Sequence, residues 1–238
     1  MAFENGIWIM YGTDSPDSIH NIDELIEYVD NVGFLPLFKN EIEGFSVEEH
    51  TSADYWWTED EVRDPWLWRE YAARSGRVAY GKFFGKKAGF ISLRWLPYFV
   101  NHRRDGYDFD TLIDEGRAPR RERLIMELFN EHDELFSYQL KELGGFGKGG
   151  EKNFSGIVTE LQSKTYLVVK DFRRRINKRG EEYGMSVAVY TPPEKLYGYT
   201  LVSSAYSEEP ADSAERIAAH MHTLYPDADE KALKKMCL

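Results

Sequence analysis

Residues 164–191 read KTYLVVKDFRRRINKRGEEYGMSVAVYT, and no other stretch bears as directly on the expected fold. Residues 164–172 and 185–191 are rich in β-branched and aromatic side chains, which predicts two strands. Between them, residues 173–179 carry five cations in seven positions, and Gly180 and Gly184 follow. Because glycine and asparagine between two strand-like runs favour a turn, the stretch predicts a β-hairpin with a strongly basic tip.

Three helices are predicted directly before this hairpin. They span residues 120–131, 137–143 and 153–163, with glycine-rich turns at 144–145 and 147–150. Helix, short helix, helix, hairpin is the order of a winged helix, whose third helix enters the DNA major groove while the hairpin touches the backbone. The expected fold class is therefore mainly α with small β-hairpins (α+β), a winged-helix module packed on a second helical, winged-helix-like module.

The chain of 238 residues is long enough for one sizeable domain or two small ones. We predict an irregular extension at 1–18, a helical, aromatic-rich module at 19–118, the winged-helix module at 119–199 and C-terminal helices at 200–238. Within the second segment, helices are predicted at 21–32, at 92–99 and from Pro65 onward. Asp64 precedes that proline and is a suitable N-cap residue.

Charge is unevenly distributed along this acidic chain, whose net charge is −11. Residues 1–61 hold fifteen acids and one base, whereas residues 69–104 hold nine bases and one acid. Residues 144–180 hold nine bases and three acids. Such segregation is typical of nucleic-acid binding, and double-stranded DNA is the expected partner. The alternative is that the acidic N-terminal part packs on the basic blocks and neutralises them, or mimics DNA and masks them.

Composition excludes several other classes of function. The sole cysteine, Cys237, cannot form an internal disulfide, and the N-terminus lacks a basic leader, so a cytoplasmic location is expected. No apolar run has the length of a membrane span, so no membrane partner is expected. His220 and His222 are spaced to oppose each other on a helix, and no other pattern suggests a metal or cofactor site, so none is predicted.

The candidate DNA contacts lie in the basic hairpin, in the preceding glycine-rich turn and on the third helix. Lysine, arginine and backbone N–H groups at a helix start suit phosphate oxygens, while asparagine and glutamine can bind adenine edges. The candidates are Lys148, Lys152, Asn153, Gln162, Arg173, Arg174, Arg175, Lys178 and Arg179. The alternatives are an ordinary flexible turn at 147–150 and a solvated hairpin edge at 173–179.

A second candidate region is rich in tryptophan. Trp56, Trp57, Trp66, Trp68 and Arg69 are predicted to form an aromatic cleft that stacks a base turned out of the duplex. The alternative is that these rings pack in the core. A nearby carboxylate facing the cleft, such as Glu41 or Glu43, would be needed for acid or base catalysis.

Two blocks of the chain resemble a known family. One runs from Asp64 to Phe99 and includes DPWLWR at 64–69, VAYGKFF at 78–84 and FISLRWLPYF at 90–99. The other runs from Arg120 to Tyr199 and includes YTPPEKLY at 190–197. They resemble the AlkZ/YcaQ-type winged-helix DNA glycosylases, closest to the AlkZ-related branch. The resemblance implies repeated winged helices, DNA binding and processing of damaged bases.

The chain departs from this family where catalysis is concerned. Active members carry a Gln-x-Gln or Gln-x-Asp motif soon after the first helix, and the corresponding place here is GFLPLF at 33–38. Leu35 and Leu37 can neither activate water nor stabilise developing charge, so no catalytic residue is carried over. The predicted function is DNA binding without the family's catalytic motif. The alternatives are a glycosylase-like hydrolase with a displaced catalytic group and a regulatory winged helix that binds protein.

Overall fold

The computed structural model describes residues 19–238 and, before them, a short antiparallel pair of strands, β1 (Ala2–Glu4) and β2 (Ile7–Ile9). The rest of the predicted extension at 1–18 lies outside the described residues. Among the helices that the structure describes, none is long and apolar enough to cross a membrane.

A six-stranded antiparallel sheet forms the centre of the fold. Its strands stand in the order β3-β5-β4-β7-β8-β6 and are β3 (Phe34–Pro36), β4 (Val78–Phe84), β5 (Lys87–Ser92), β6 (Leu135–Phe136), β7 (Val168–Ile176) and β8 (Glu182–Thr191). The β4–β5 and β7–β8 hairpins join where Tyr80 pairs with Val169. The fold is therefore a mixture of helices and sheet, and its sheet is larger than the small hairpins that the sequence predicts.

Helices cover the sheet and connect its strands. They are α1 (Ile22–Val32), α2 (Pro65–Ser75), α3 (Leu96–Arg104), α4 (Phe109–Asp114), α5 (Arg120–Met126), α6 (Ser137–Leu143), α7 (Phe154–Ser163), α8 (Pro193–Tyr197), α9 (Tyr199–Val202), α10 (Pro210–Leu224) and α11 (Glu230–Cys237). The predicted N-cap Asp64 is confirmed, because its side chain accepts a backbone N–H group of the first turn of α2, and Asn21 caps α1 in the same way. Helices α5, α6 and α7 precede the β7–β8 hairpin in the predicted order, while the three-dimensional winged-helix arrangement stays a prediction.

Two helix boundaries differ from the predicted ones. The helix predicted at 92–99 begins only at Leu96 and continues to Arg104, because Pro97 is tolerated within the first turn rather than ending the helix. The helix predicted at 120–131 ends at Met126 and continues as a tighter 3-10 turn over Glu127–Asn130. Neither change moves the elements that carry the candidate site.

The buried side chains form two clusters. The larger cluster joins α1, α2, α3 and β3–β5 with the C-terminal helices α10 and α11, and it includes Val168 and Val169 at the start of β7. The smaller cluster lies among α4–α7 and includes Phe129, Leu140 and Leu161. Tyr190 on β8 packs against both clusters, so the β7–β8 hairpin is rooted between them. The division of the chain at 118/119 and 199/200 stays a prediction.

Candidate nucleic-acid interface

The β7–β8 hairpin is longer than predicted, and its closing turn is shorter. Arg173, Arg174 and Arg175 lie within strand β7, since Arg175 pairs with Tyr183 and Ile176 with Glu182. The closing turn is formed by residues 177–181, where the side chain of Asn177 accepts the N–H groups of Arg179 and Glu181 at 2.8 and 3.1 Å. The arginines predicted for the tip are therefore held on an extended strand.

Four hairpin cations are exposed and have no carboxylate partner within the part of the chain that the structure describes. We call Arg174, Arg175, Lys178 and Arg179 the free hairpin cations. The guanidinium of Arg175 lies 4.7 Å from the ring centre of Tyr138 on α6, which orients it without neutralising it. Cations with no internal partner are available to an external anion such as a DNA phosphate.

Arg173 differs from the free hairpin cations because it is already paired. Its guanidinium forms ion pairs with Glu134 and, at 3.1 Å, with Asp171. Glu134 also pairs with Lys170 at 2.6 Å. Burial raises the pKa of the Glu134 carboxyl, but hydrogen bonds from Lys170 and Arg173 outweigh burial and hold that pKa below its usual value. Arg173 therefore stabilises the base of the hairpin.

The glycine-rich turn before α7 presents the other predicted cations. Lys148, Lys152 and Asn153 are exposed, and neither lysine forms an ion pair with a residue in the described range. No described side chain caps the first turn of α7. Its N–H groups, with the lysines beside them, suit a phosphate oxygen. Glu151 reduces the positive charge of this turn little, because Arg120 and Arg121 already pair with it.

Gln162 does not share this surface. Its side chain is 2% exposed and joins α7 to the sheet. The amide oxygen accepts the backbone N–H of Lys82 on β4 at 3.2 Å, while the amide nitrogen donates to the Val158 carbonyl at 3.1 Å. A buried amide with both groups satisfied cannot contact a base without breaking these bonds. We therefore leave Gln162 out of the candidate surface.

The tryptophan region is a packed column of tilted rings rather than an open cleft. Trp57 packs on Trp66 with ring centres 4.5 Å apart, and the Arg69 guanidinium lies 3.8 Å from the ring centre of Trp66. The same guanidinium lies 4.3 Å from the ring centre of Phe172, on β7. Trp56 is half-buried and its indole N–H donates to the Thr51 hydroxyl at 3.0 Å. The column thus connects the tryptophan region to the root of the hairpin.

Two residues of the predicted cleft, Trp68 and Arg69, are buried and not accessible to a base. Trp68 is fully buried, and its indole N–H donates to the Val62 carbonyl at 2.9 Å, so it is a core residue. Arg69 is 8% exposed and enclosed by its two aromatic neighbours. Trp57, at 60% exposure, is the one member of the predicted set with a largely free side chain.

The loop that presents Trp57 is organised by Asp64. The buried Asp64 carboxylate accepts the backbone N–H groups of Trp57, Glu59 and Trp66 at 3.2, 3.2 and 2.9 Å. Trp57 and Glu59 both have positive φ, at 66° and 60°, a conformation that non-glycine residues rarely adopt. The N-cap of α2 therefore also holds a strained loop in place.

Among residues 19–238, the acids at 41–61 form no ion pair with the basic blocks. Glu41 pairs with Lys235 on α11, and Glu49 lies 3.9 Å from Lys39. No described carboxylate of residues 41–61 forms an ion pair with the hairpin or with residues 69–104. Arg77 pairs with an earlier acid, Asp23, at 2.9 Å. Ion pairing of the hairpin with residues 41–61 is thus not seen within residues 19–238, and the described partner of Glu41 is Lys235.

The place of the family's catalytic motif is inaccessible. At most 1% of the surface of each of three residues here, Phe34, Leu35 and Leu37, is exposed to solvent. Phe34 and Leu35 belong to β3. No group of three metal-ligating side chains occurs among the residues that the structure describes. The buried strand has no polar side chain to activate water, so it offers no chemistry of the family's kind.

Sequence reasoning missed a buried charged network beside a cavity of about 230 Å³. Arg104 at the end of α3 pairs with Glu194 on α8 and lies 3.5 Å from Asp108. Hydroxyl groups of Tyr199 and Tyr206 donate to Asp108 at 3.0 and 2.9 Å. The spacing of Arg104 and Asp108 is a sequence signal for an ion pair, but nothing local indicates Glu194. These groups satisfy one another and tie α3 to α8 and α9, so the network is structural.

Comparison with known proteins agrees with the resemblance seen in the sequence. The family model described as AlkZ related matches residues 19–238, and the chain therefore belongs to the AlkZ-related family. No curated protein matches the chain.

Proposed function

We propose that this member of the AlkZ-related family binds double-stranded DNA through the β7–β8 hairpin, acting as the wing of a winged-helix module. The observation that carries the proposal is the set of free hairpin cations, which face solvent without internal partners. An acidic chain of net charge −11 that keeps four cations unpaired on one hairpin favours a polyanionic partner. The family suggests a relation to DNA-repair glycosylases, which agrees with this partner.

The glycine-rich turn before α7 supplies a second phosphate contact. Lys148 and Lys152 flank uncapped N–H groups at the start of a helix of ten residues. In a winged helix, the third helix and the wing contact the same duplex, so α7 and the β7–β8 hairpin would do so together. We infer that Asn153, an exposed polar side chain at the N-cap of α7, contacts a base edge.

The proposed activity is binding without base excision. Leu35 and Leu37 occupy the place of the catalytic motif, and both are fully buried. Of the two carboxylates named for a displaced catalytic group, Glu41 pairs with Lys235 and Glu43 is exposed to solvent. The protein thus binds DNA with the family's framework and without its chemistry.

The test is a binding titration of a fluorescently labelled short duplex by anisotropy at low salt. The wild-type protein should bind, and replacing all four free hairpin cations with glutamine should weaken binding by at least about 10-fold. A Lys148→Gln/Lys152→Gln variant should weaken binding through the second contact. Absence of wild-type binding at low salt would reject the function and favour a protein-binding winged helix. Release of an alkylated base from a duplex by the wild-type protein would reject the non-catalytic part.

A further inference from the structure

The β7–β8 hairpin contains a bulge at its exposed end. Arg173 pairs with Val187 and Arg175 pairs with Tyr183, so one residue of β7 faces three residues of β8. The three are Gly184, Met185 and Ser186, and they lie opposite Arg174. Gly184 has a φ angle of 73°, a backbone conformation that residues with a side chain rarely adopt. Bulges of this kind change the direction in which a side chain projects.

The inner side of the bulge is fixed to helix α2. The Ser186 hydroxyl donates to the Glu70 carboxylate at 2.8 Å, and Arg69 donates to the same oxygen at 3.1 Å. Arg74 holds the adjacent strand, donating to the Asp171 carboxylate at 2.8 Å and to the Phe172 carbonyl at 3.0 Å. The root of the hairpin is therefore braced, and the bulge has a defined orientation relative to α2.

The outer side of the bulge is apolar and uncovered. Met185 is 88% exposed, more than any other large hydrophobic side chain among the described residues. Ile176 and Tyr183, at 66% and 49%, are exposed on the same half of the hairpin. A methionine at such exposure forgoes the stabilisation of burial, so its place on a braced bulge suggests that a partner covers it.

The charges on the same hairpin favour DNA as the partner. The free hairpin cations lie on β7 and in the closing turn, and Glu181 and Glu182 offset only two of those four charges. Proteins that kink DNA combine these two features, holding phosphates with cations and inserting methionine, isoleucine, leucine or phenylalanine between base pairs.

We propose that Met185 is a wedge that enters the DNA base stack, so that the hairpin selects duplexes whose stacking is already interrupted. This inference rests on the proposed DNA binding by the same hairpin. Insertion must separate neighbouring base pairs, and this is easiest at a mismatched, damaged or missing base. The free hairpin cations supply affinity that is independent of such a defect, while Met185 supplies the preference.

The experiment compares two duplexes of identical sequence, one of which carries a central abasic-site analogue. The wild-type protein should bind the interrupted duplex about 10-fold more tightly, because insertion there does not have to separate intact stacked base pairs. Met185→Ser should abolish this preference while leaving affinity for the intact duplex within about 2-fold, because the cations remain. Met185→Leu should retain the preference. Val62→Ser, which removes another exposed apolar side chain outside the hairpin, is the matched control and should change neither affinity.

The outcomes separate the wedge from DNA binding itself. Equal wild-type affinity for both duplexes, with binding that weakens as salt is added, would overturn the wedge and leave the proposed function standing. Equal loss of affinity for both duplexes in Met185→Ser would also overturn it, since Met185 would then be a general contact. No binding to either duplex would overturn both proposals. A 2-aminopurine base beside the abasic analogue should brighten on wild-type binding and stay unchanged with Met185→Ser if the wedge enters the stack.

Discussion

The salt dependence of DNA affinity tests which hairpin cations touch phosphate. Each cation that neutralises a phosphate contributes about −0.9 to the slope of log affinity against log salt concentration. If all four free hairpin cations do so, their summed slope is about −3.6, and affinity falls about 150-fold between 50 and 200 mM salt. Any contact from Lys148 or Lys152 would steepen this slope further. The prediction is quantitative because it depends only on the number of phosphates neutralised.

Single substitutions at neighbouring positions sharpen the test. Arg174→Gln should make the slope shallower by about 0.9, since Arg174 has no carboxylate partner among residues 19–238. Arg173→Gln should change the slope less than Arg174→Gln, because ion pairs with Glu134 and Asp171 hold the Arg173 guanidinium. It should also lower the free energy of unfolding by about 0.5 kcal/mol, as expected for a half-exposed ion pair.

The assay is fluorescence anisotropy of a labelled duplex over a series of salt concentrations. The matched control is Lys234→Gln on helix α11, which removes the same single charge as Arg174→Gln from an exposed position outside the hairpin. Equal changes of slope for Arg173→Gln and Arg174→Gln would refute the distinction drawn from the ion pairs. An equal effect of the α11 variant would show that net charge, rather than hairpin contact, sets the affinity.

Three further predictions concern the framework that supports the hairpin. Asp64→Ala should lower the free energy of unfolding by about 2–3 kcal/mol, because three backbone N–H groups lose a buried acceptor. Thermal denaturation should then show a melting temperature about 5–10 °C lower. An unchanged melting temperature would contradict the loop's dependence on Asp64. Arg104→Met should cost about 3–5 kcal/mol in urea denaturation, since two acidic partners lose their buried cation, and a loss below about 1 kcal/mol would show that they are re-solvated. Burial lowers the pKa of His50, His102 and His220 below the ordinary value of 6.5, so these rings bind protons more readily in the unfolded chain. The free energy of unfolding should therefore be highest above about pH 6.5 and should decline as the pH falls below it. Urea midpoints that stay constant from pH 7.5 to 5.5 would contradict this.

Local sequence patterns predicted individual elements rather than the whole sheet. Asp64 identifies the start of α2 because a capping side chain acts within three residues of its own position. The basic hairpin was recognisable because β-branched runs and turn residues are local features. The boundary of its turn was not, since cross-strand pairing keeps Arg173–Ile176 extended.

The contacts between residues far apart in the chain could be learned only from the tertiary structure. Gln162 is a plausible base-reading side chain in the sequence, but packing of α7 against β4 buries it. The sequence does not distinguish the three consecutive arginines at 173–175, yet Glu134 and Asp171 form ion pairs only with Arg173. The six-stranded sheet depends on the pairing of Tyr80 with Val169. Periodicity, caps and turns act over a few residues and are written in the sequence, whereas burial and charge pairing depend on which distant segments the fold brings together.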